Sequence, residues 1–314
     1  MQRIITSTSD RASKRRGFTI VELLIVIVVI GILAAITIVA YNGIQQRAQA
    51  ATVQSDLEGA AKQLAMDQVT GSAYPVNIAA ANNGAGLKAS PGTTYQYTVD
   101  NSADPQTFCL TGTNATVSYK ITEGSTPVVG SCPITNLETN PSFEVNTVGW
   151  DNYSNGGTPI DFSRSAVWSN TGADSIHAKY TITNATDSLG IRGPDIACSV
   201  GDVFTASAYV NIIAASSFRL RLDLNDGSGV VMGPISSSLG VQRVTVTGTI
   251  PAGITMVRPL LMVISSTANE TVEAYMDSVM VQKASSANSY ADGNSPNWIW
   301  NGTANASTST GPPL

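Results

Sequence analysis

The sequence predicts an α+β chain that becomes all-β: one long N-terminal helix carrying a small antiparallel sheet, followed by a two-sheet β-sandwich. Three observations predict it. From Leu23 to Ile36 there is no polar side chain. Beyond Tyr41, apolar residues recur at helical spacing. From about residue 134, long runs alternate apolar and polar side chains, the period of a half-buried strand.

The first element follows from its flanks. Residues 1–17 form a polar leader holding Arg3, Arg11, Lys14, Arg15 and Arg16 against Asp10. Phe18–Ala40 is 23 residues long, about 35 Å as a helix and enough to cross a bilayer core. Its Ile and Val content would favour a strand in water. In lipid a lone strand leaves its backbone unpaired, so helix is the expected state. Lys14, Arg15 and Arg16 place the N-terminus on the cytoplasmic side.

Glu22 interrupts this run. A carboxylate in hydrocarbon costs roughly 2.5–3.5 kcal/mol on insertion scales, so an unpaired one is unexpected; the plain alternative is a side chain resting among headgroups. An ordinary secretory signal would have a shorter apolar core and be cut after it, at small residues such as Ala34 or Ala40. Past the membrane boundary, Val53, Leu57, Ala60, Ala61 and Leu64 line one helical face, and Gly71 is the stop. A helix from Phe18 to Val69 would be about 80 Å long.

The run Arg16-Gly17-Phe18-Thr19-Ile20-Val21-Glu22-Leu23-Leu24-Ile25-Val26-Ile27 resembles the class III signal of type IV prepilins and of the pseudopilins of type II secretion. The resemblance covers residues 12 to about 70. It implies that a prepilin peptidase cuts between Gly17 and Phe18 and methylates the new Phe18 amine, and that the apolar helix is retained. It also gives Glu22 a role in assembly, pairing with the Phe18 amine of a neighbouring subunit. Many pilins carry a proline further along this helix; here no proline occurs before Pro75, and Gly31 and Gly43 are the breakers along its first half.

Residues 71–132 read as a head with three short strands, Thr94–Val99, Gln106–Thr111 and Thr116–Ile121. Asn101, Asp104-Pro105 and Gly112-Thr113-Asn114 mark the turns. In an exported chain Cys109 pairs with Cys132, closing a loop worth roughly 3 kcal/mol; three buried free thiols, Cys198 included, are the alternative. Tyr95, Tyr97 and Tyr119 suit sheet packing.

Residues 133–288 contain the long strands. Phe204, Ala206, Ala208, Val210 and Ile212 alternate with Thr205, Ser207, Tyr209 and Asn211. Phe218, Leu220, Leu222 and Leu224 alternate with Arg219, Arg221 and Asp223. Seven or more such runs, with Gly, Asp and Asn turns between them, argue a sandwich and exclude a βαβ architecture.

Asn136-Leu137, Asn140-Pro141-Ser142-Phe143-Glu144 with Gly149-Trp150, the Val200–Val210 strand and Tyr275-Met276-Asp277-Ser278-Val279 are similar to segments of the jelly-roll carbohydrate-binding modules of families 4 and 9. That resemblance implies a jelly roll and a structural Ca²⁺ held at Glu144 and Asp277, with ordinary loop or cap hydrogen bonds by both carboxylates as the alternative; no cofactor is required. A sugar site needs aromatic rings and fixed polar groups. Trp150, Trp168, Tyr209, Arg219 and Arg221 are the candidates, with core packing as the competing role for the tryptophans and a solvated sheet face for the arginines. Residues 289–314 form a polar tail in which Trp298 and Trp300 dock and the end is expected to be disordered.

Composition excludes other classes. Net charge is −5, and removal of the leader leaves 12 basic against 21 acidic residues, a net of −9. With no basic patch, nucleic acid is not an expected partner. The only histidine is His177, and no catalytic set or phosphate loop stands out, so an enzyme is not expected. The sequence therefore reads as a type IV pilus subunit, minor or adhesive. It would be held in the cytoplasmic or inner membrane before assembly and displayed at the cell surface afterwards. Its expected partners are other pilins, the prepilin peptidase, the assembly platform and surface glycans. A type II secretion pseudopilin and a membrane-anchored glycan-binding protein are the alternatives.

Overall fold

A computed structural model describes residues 20–101, 103–185, 187–224 and 230–314. Gly17 and Phe18 lie outside these. One α-helix, α1, runs Ile20–Gly71, with Glu22 in its first turn. The chain divides into two compact units, Met1–Gln49 and Ala50–Leu314.

In the first unit, α1 is long and apolar enough to cross a membrane, and its most apolar stretch buries no side chain. Ile20 is 84 % exposed and Leu33 57 %. The Thr37 hydroxyl donates back to the carbonyls of Leu33 and Ala34, at 3.0 and 2.9 Å, so the one hydroxyl in this stretch is satisfied within the helix.

The second unit opens with the last turns of α1. Val53, Leu57, Ala60 and Leu64 are buried with Tyr74, Tyr97, Phe108, Leu110 and Ile121. These partners come largely from an antiparallel sheet of β1 (Thr93–Asp100), β2 (Thr107–Asn114), β3 (Val117–Thr122) and β4 (Val128–Val129), in that order. Asp56 fixes the neighbouring loop by accepting from the Ser90 amide and hydroxyl at 3.0 and 2.8 Å. After Gly71, Ser72 takes the left-handed conformation that ends the helix (φ 62°).

Gly112, Thr113 and Asn114 are not a turn. They complete β2, and the reversal falls at residues 115–116. The reason is packing: a Cβ on Gly112 would stand 3.0 Å from Val53 Cγ1 and 3.3 Å from Leu57 Cγ, so this glycine lets the sheet approach the helix. Cys109 and Cys132 form a disulfide, with Cα atoms 5.9 Å apart. Cys198 is a free, half-buried thiol that burial pushes above its ordinary value.

Next come β5 (Ile134–Asn136) and the sandwich strands: β6 (Asp151–Asn155), β7 (Thr158–Ser165), β8 (Ser175–Thr181), β9 (Ser188–Arg192), β10 (Ile196–Ala197), β11 (Val203–Ala214), β12 (Ser217–Leu224), β13 (Val230–Met232), β14 (Gly240–Thr249), β15 (Met256–Ile264) and β16 (Thr271–Lys283). A front sheet has the order β14-β11-β16-β8-β7. A back sheet has the order β13-β12-β15-β9-β6, with β10 beside β15. Every pairing is antiparallel. From β8 to β16 the chain repeatedly crosses between the sheets, as in a jelly roll. Phe204, Ala206, Val210, Phe218, Leu220, Leu222, Leu261 and Val281 are among the residues filling the space between them.

The chain end is ordered. β17 (Ile299–Trp300) and β18 (Ser309–Gly311) join β5 in a three-stranded sheet. Trp298 is buried, and its indole N–H donates to the Pro312 carbonyl at 2.8 Å. Side-chain burial and strand pairing thus outweigh the polar composition that predicted disorder.

Candidate functional site

Alternation assigns each face of the front sheet. On β16, Val272, Ala274 and Met276 enter the core, so Glu273, Tyr275 and Asp277 lie on the opposite face, where Tyr275 and Asp277 are themselves covered. On β11, Tyr209 is an outward residue opposite Asp277 on β16 and Arg243 on β14. The Arg243 guanidinium carbon lies 5.9 Å from the Tyr209 ring centroid and is held by bonds to the Ser207 hydroxyl and the Asn288 carbonyl.

Beside this pair, His177 stacks on Tyr275 (centroids 4.5 Å apart, planes at 23°), and Trp168 approaches Tyr275 edge-on at 6.5 Å. His177 Nδ1 is 2.7 Å from Asp161 Oδ2, and Nε2 is 3.1 Å from Glu273 Oε1. Glu273 also pairs with Lys179 at 2.7 Å. Burial acts to raise Asp161, but hydrogen bonds from His177 and Ser163 outweigh it and hold the carboxyl below its ordinary range. Glu273 is likewise raised by burial and lowered further by Lys179 and His177. Fixed polar groups around aromatic rings are what orienting a sugar requires.

The five predicted sugar-site residues separate. Trp168 and Tyr209 lie on the front-sheet side. Trp150 is buried among core residues, 5.0 Å edge-to-face from Phe143, with its N–H on the Asn140 carbonyl at 3.0 Å. Arg219 and Arg221 lie on the outer face of the back sheet, because Phe218, Leu220 and Leu222 point inward. Tyr275, His177, Asp161 and Glu273 were not foreseen. Tyr275 was legible in the alternation of β16; the other three meet only through cross-strand register.

Glu144 and Asp277 close on one loop. Asp277 Oδ2 accepts from the Asn170 and Thr171 amides at 2.7 and 2.9 Å, and Glu144 accepts from the Ala173 amide at 3.0 Å. The Glu144 carboxylate lies so near Gly172 that a Cβ there would overlap it. Burial pushes Asp277 up to about 7 despite these bonds. A cavity of about 400 Å³ opens beside Glu144, Thr171, Tyr290 and Asp292. Among the described residues, no three His, Cys, Asp or Glu side chains converge as a metal cluster.

Comparison with known proteins gives two findings. Residues 12–38 match the model of the prokaryotic N-terminal methylation motif. Solved structures align with roughly half of the chain. The CBM22-1 xylan-binding domain of Paenibacillus barcinonensis Xyn10C is 16 % identical, with 47 % of this chain and 93 % of that one covered and a TM-score of 0.34. The C-terminal family 22 carbohydrate-binding module of Clostridium thermocellum Xyn10B is 17 % identical, with 48 % and 96 % covered and a TM-score of 0.36. The enzymatically active domain of bacteriophage CBA120 tailspike protein 4 is 11 % identical, with 46 % and 21 % covered and a TM-score of 0.37. No curated protein matches the chain.

Proposed function

We propose that the chain is a type IV pilin-like subunit that polymerises through its N-terminal helix and presents the sandwich as a glycan-binding or adhesive domain. The observation that carries this reading is the bare apolar helix behind a methylation motif. A surface of exposed Ile, Leu and Val is stable only in lipid or against copies of itself. The precursor sits in the membrane, is cut between Gly17 and Phe18, and then enters a filament at the cell surface. The leader peptidase, the assembly platform and other pilins are its partners.

Half-buried Tyr209 and Trp168 are the attachment residues in this reading, with buried Tyr275 and His177 supporting them from beneath. Glu144 and Asp277 supply hard oxygens, and a Ca²⁺ held by them would offset the burial of Asp277. The decisive experiment is mass spectrometry of the mature N-terminus. The expected result is an N-methylated Phe18. An intact Met1, or a start after Ala40, overturns the proposal.

A further inference from the structure

The outer face of the back sheet carries a second cluster that the front-face reading does not use. Two register rows cross it: Asp151, Arg192, Leu260, Arg221 and Met232 in one, Tyr153, Gly190, Met262 and Arg219 in the next. The guanidinium carbons of Arg192 and Arg221 stand 5.6 and 5.2 Å from the Tyr153 ring centroid, so two cations flank one aromatic ring.

Three arginines of this face have carboxylates. Arg192 pairs with Asp151 through two bonds of 2.8 and 2.7 Å. Arg221 and Arg258 lie 2.6 and 2.7 Å from Asp223 and Asp195. Arg219 differs. Among the described residues it meets no carboxylate: Nη1 lies 2.9 Å from the Met232 sulfur, and Nε is buried without an acceptor. A guanidinium that meets no carboxylate among the described residues, on a half-buried sheet face, lacks the planar oxyanion that its donor fork matches.

We propose that this face is a second binding site, for an anionic saccharide carrying carboxylate or sulfate groups. Arg219 takes the anionic group, and the Arg192–Tyr153–Arg221 stack forms the neighbouring floor of the site. The proposal rests on the reading of the sandwich as a glycan-binding domain, but it concerns the opposite sheet and different residues.

The test is calorimetric titration of the full chain in detergent micelles with a neutral xylo-oligosaccharide, an oligogalacturonate and a sulfated oligosaccharide. At least one anionic ligand is expected to bind, more weakly at high salt. Arg219→Ala is expected to lower that affinity about tenfold or more, the loss of a charge-assisted hydrogen bond. Arg219→Lys, which keeps the charge but not the fork, should recover only part of it. Tyr209→Ala should leave anionic binding intact. The carboxylated and sulfated arms identify the group bound. The thermal midpoint of Arg219→Ala is measured alongside: Arg219 forms no ion pair among the described residues, so the variant should stay folded at the titration temperature, which separates lost binding from lost folding. The proposal is overturned if neither anionic ligand binds, if Arg219→Ala binds as tightly as the parent, or if anionic binding is lost with Tyr209→Ala alone. Loss of neutral-sugar binding in Tyr209→Ala reports on the front face, and its absence overturns only that reading.

Discussion

Glu138 is a carboxyl with 0 % exposure and, among the described residues, no hydrogen-bond partner on either oxygen, and burial pushes it up to about 8. Asp277 is pushed up to about 7 by the same cause. A folded state with raised carboxyl values binds more protons than the unfolded chain between about pH 4 and the folded values. These two groups therefore contribute full stability below the unfolded carboxyl value, and that contribution is lost as pH rises through about 7 and 8. Thermal melts should show the midpoint falling between about pH 4 and pH 8 and levelling off above that. Glu138→Gln should recover roughly 1–3 kcal/mol at alkaline pH by removing a buried charge. Ca²⁺ should flatten the part due to Asp277, and EDTA should restore it. A flat profile in the parent protein would contradict this account. Glu138 could not have been singled out from the sequence. It sits two residues after Asn136 in a largely polar run that gives no sign of burial. The Cys109–Cys132 bond, by contrast, was legible, because both residues flank strand-like segments of one small head.

At the level of elements, patterned segments were readable and unpatterned ones were not. β11, β12 and β16 alternate cleanly along their length. β6 reads Asp-Asn-Tyr-Ser-Asn and shows no apolar period, while β9 alternates Leu189 and Ile191 over only five residues with Gly190 between them, so β6 is a strand only because β9 pairs with it. This is why the tyrosine–arginine group of the back sheet stayed hidden while Arg219 and Arg221 were visible. The misread turn at Gly112 has the same origin: a glycine signals a turn in sequence but serves close packing in the fold. Gly112→Val should therefore destabilise the head by about 1–3 kcal/mol, since Val53 and Leu57 must yield to the added side chain. Chemical denaturation would measure it, and an unchanged midpoint would mean that the helix–sheet contact is slack.

On the scale of the whole molecule, the chain joins a unit whose surface is apolar to one with its own packed cores. The first half of α1 cannot be accounted for by contacts within a single copy, which is why assembly carries the functional reading. Breaking one partner of a buried ion pair costs about 3–5 kcal/mol. Glu22→Ala should thus still be cleaved after Gly17 yet incorporate poorly into filaments, as scored by comparing sheared surface fractions with membrane fractions. Normal incorporation would remove the proposed pairing of Glu22 with the Phe18 amine. The N-terminal motif and the sandwich strands were legible because each is a local pattern. The division of the sugar-site candidates between two sheets and the core was not, because it is set by which way each strand enters its sheet.

The disulfide has a mechanical consequence. Cys132 lies two residues before β5, where the chain enters the sandwich, and Cys109 sits within β2. A load pulling the sandwich away from the head passes from β2 across the sulfur bridge to β5, so β3 and β4 carry no tension. The 23 residues spanned by the bridge are withheld as slack, roughly 80 Å of extended chain. In a force-extension record, reduction of the bridge should add a contour-length increment of about that size before the sandwich itself yields.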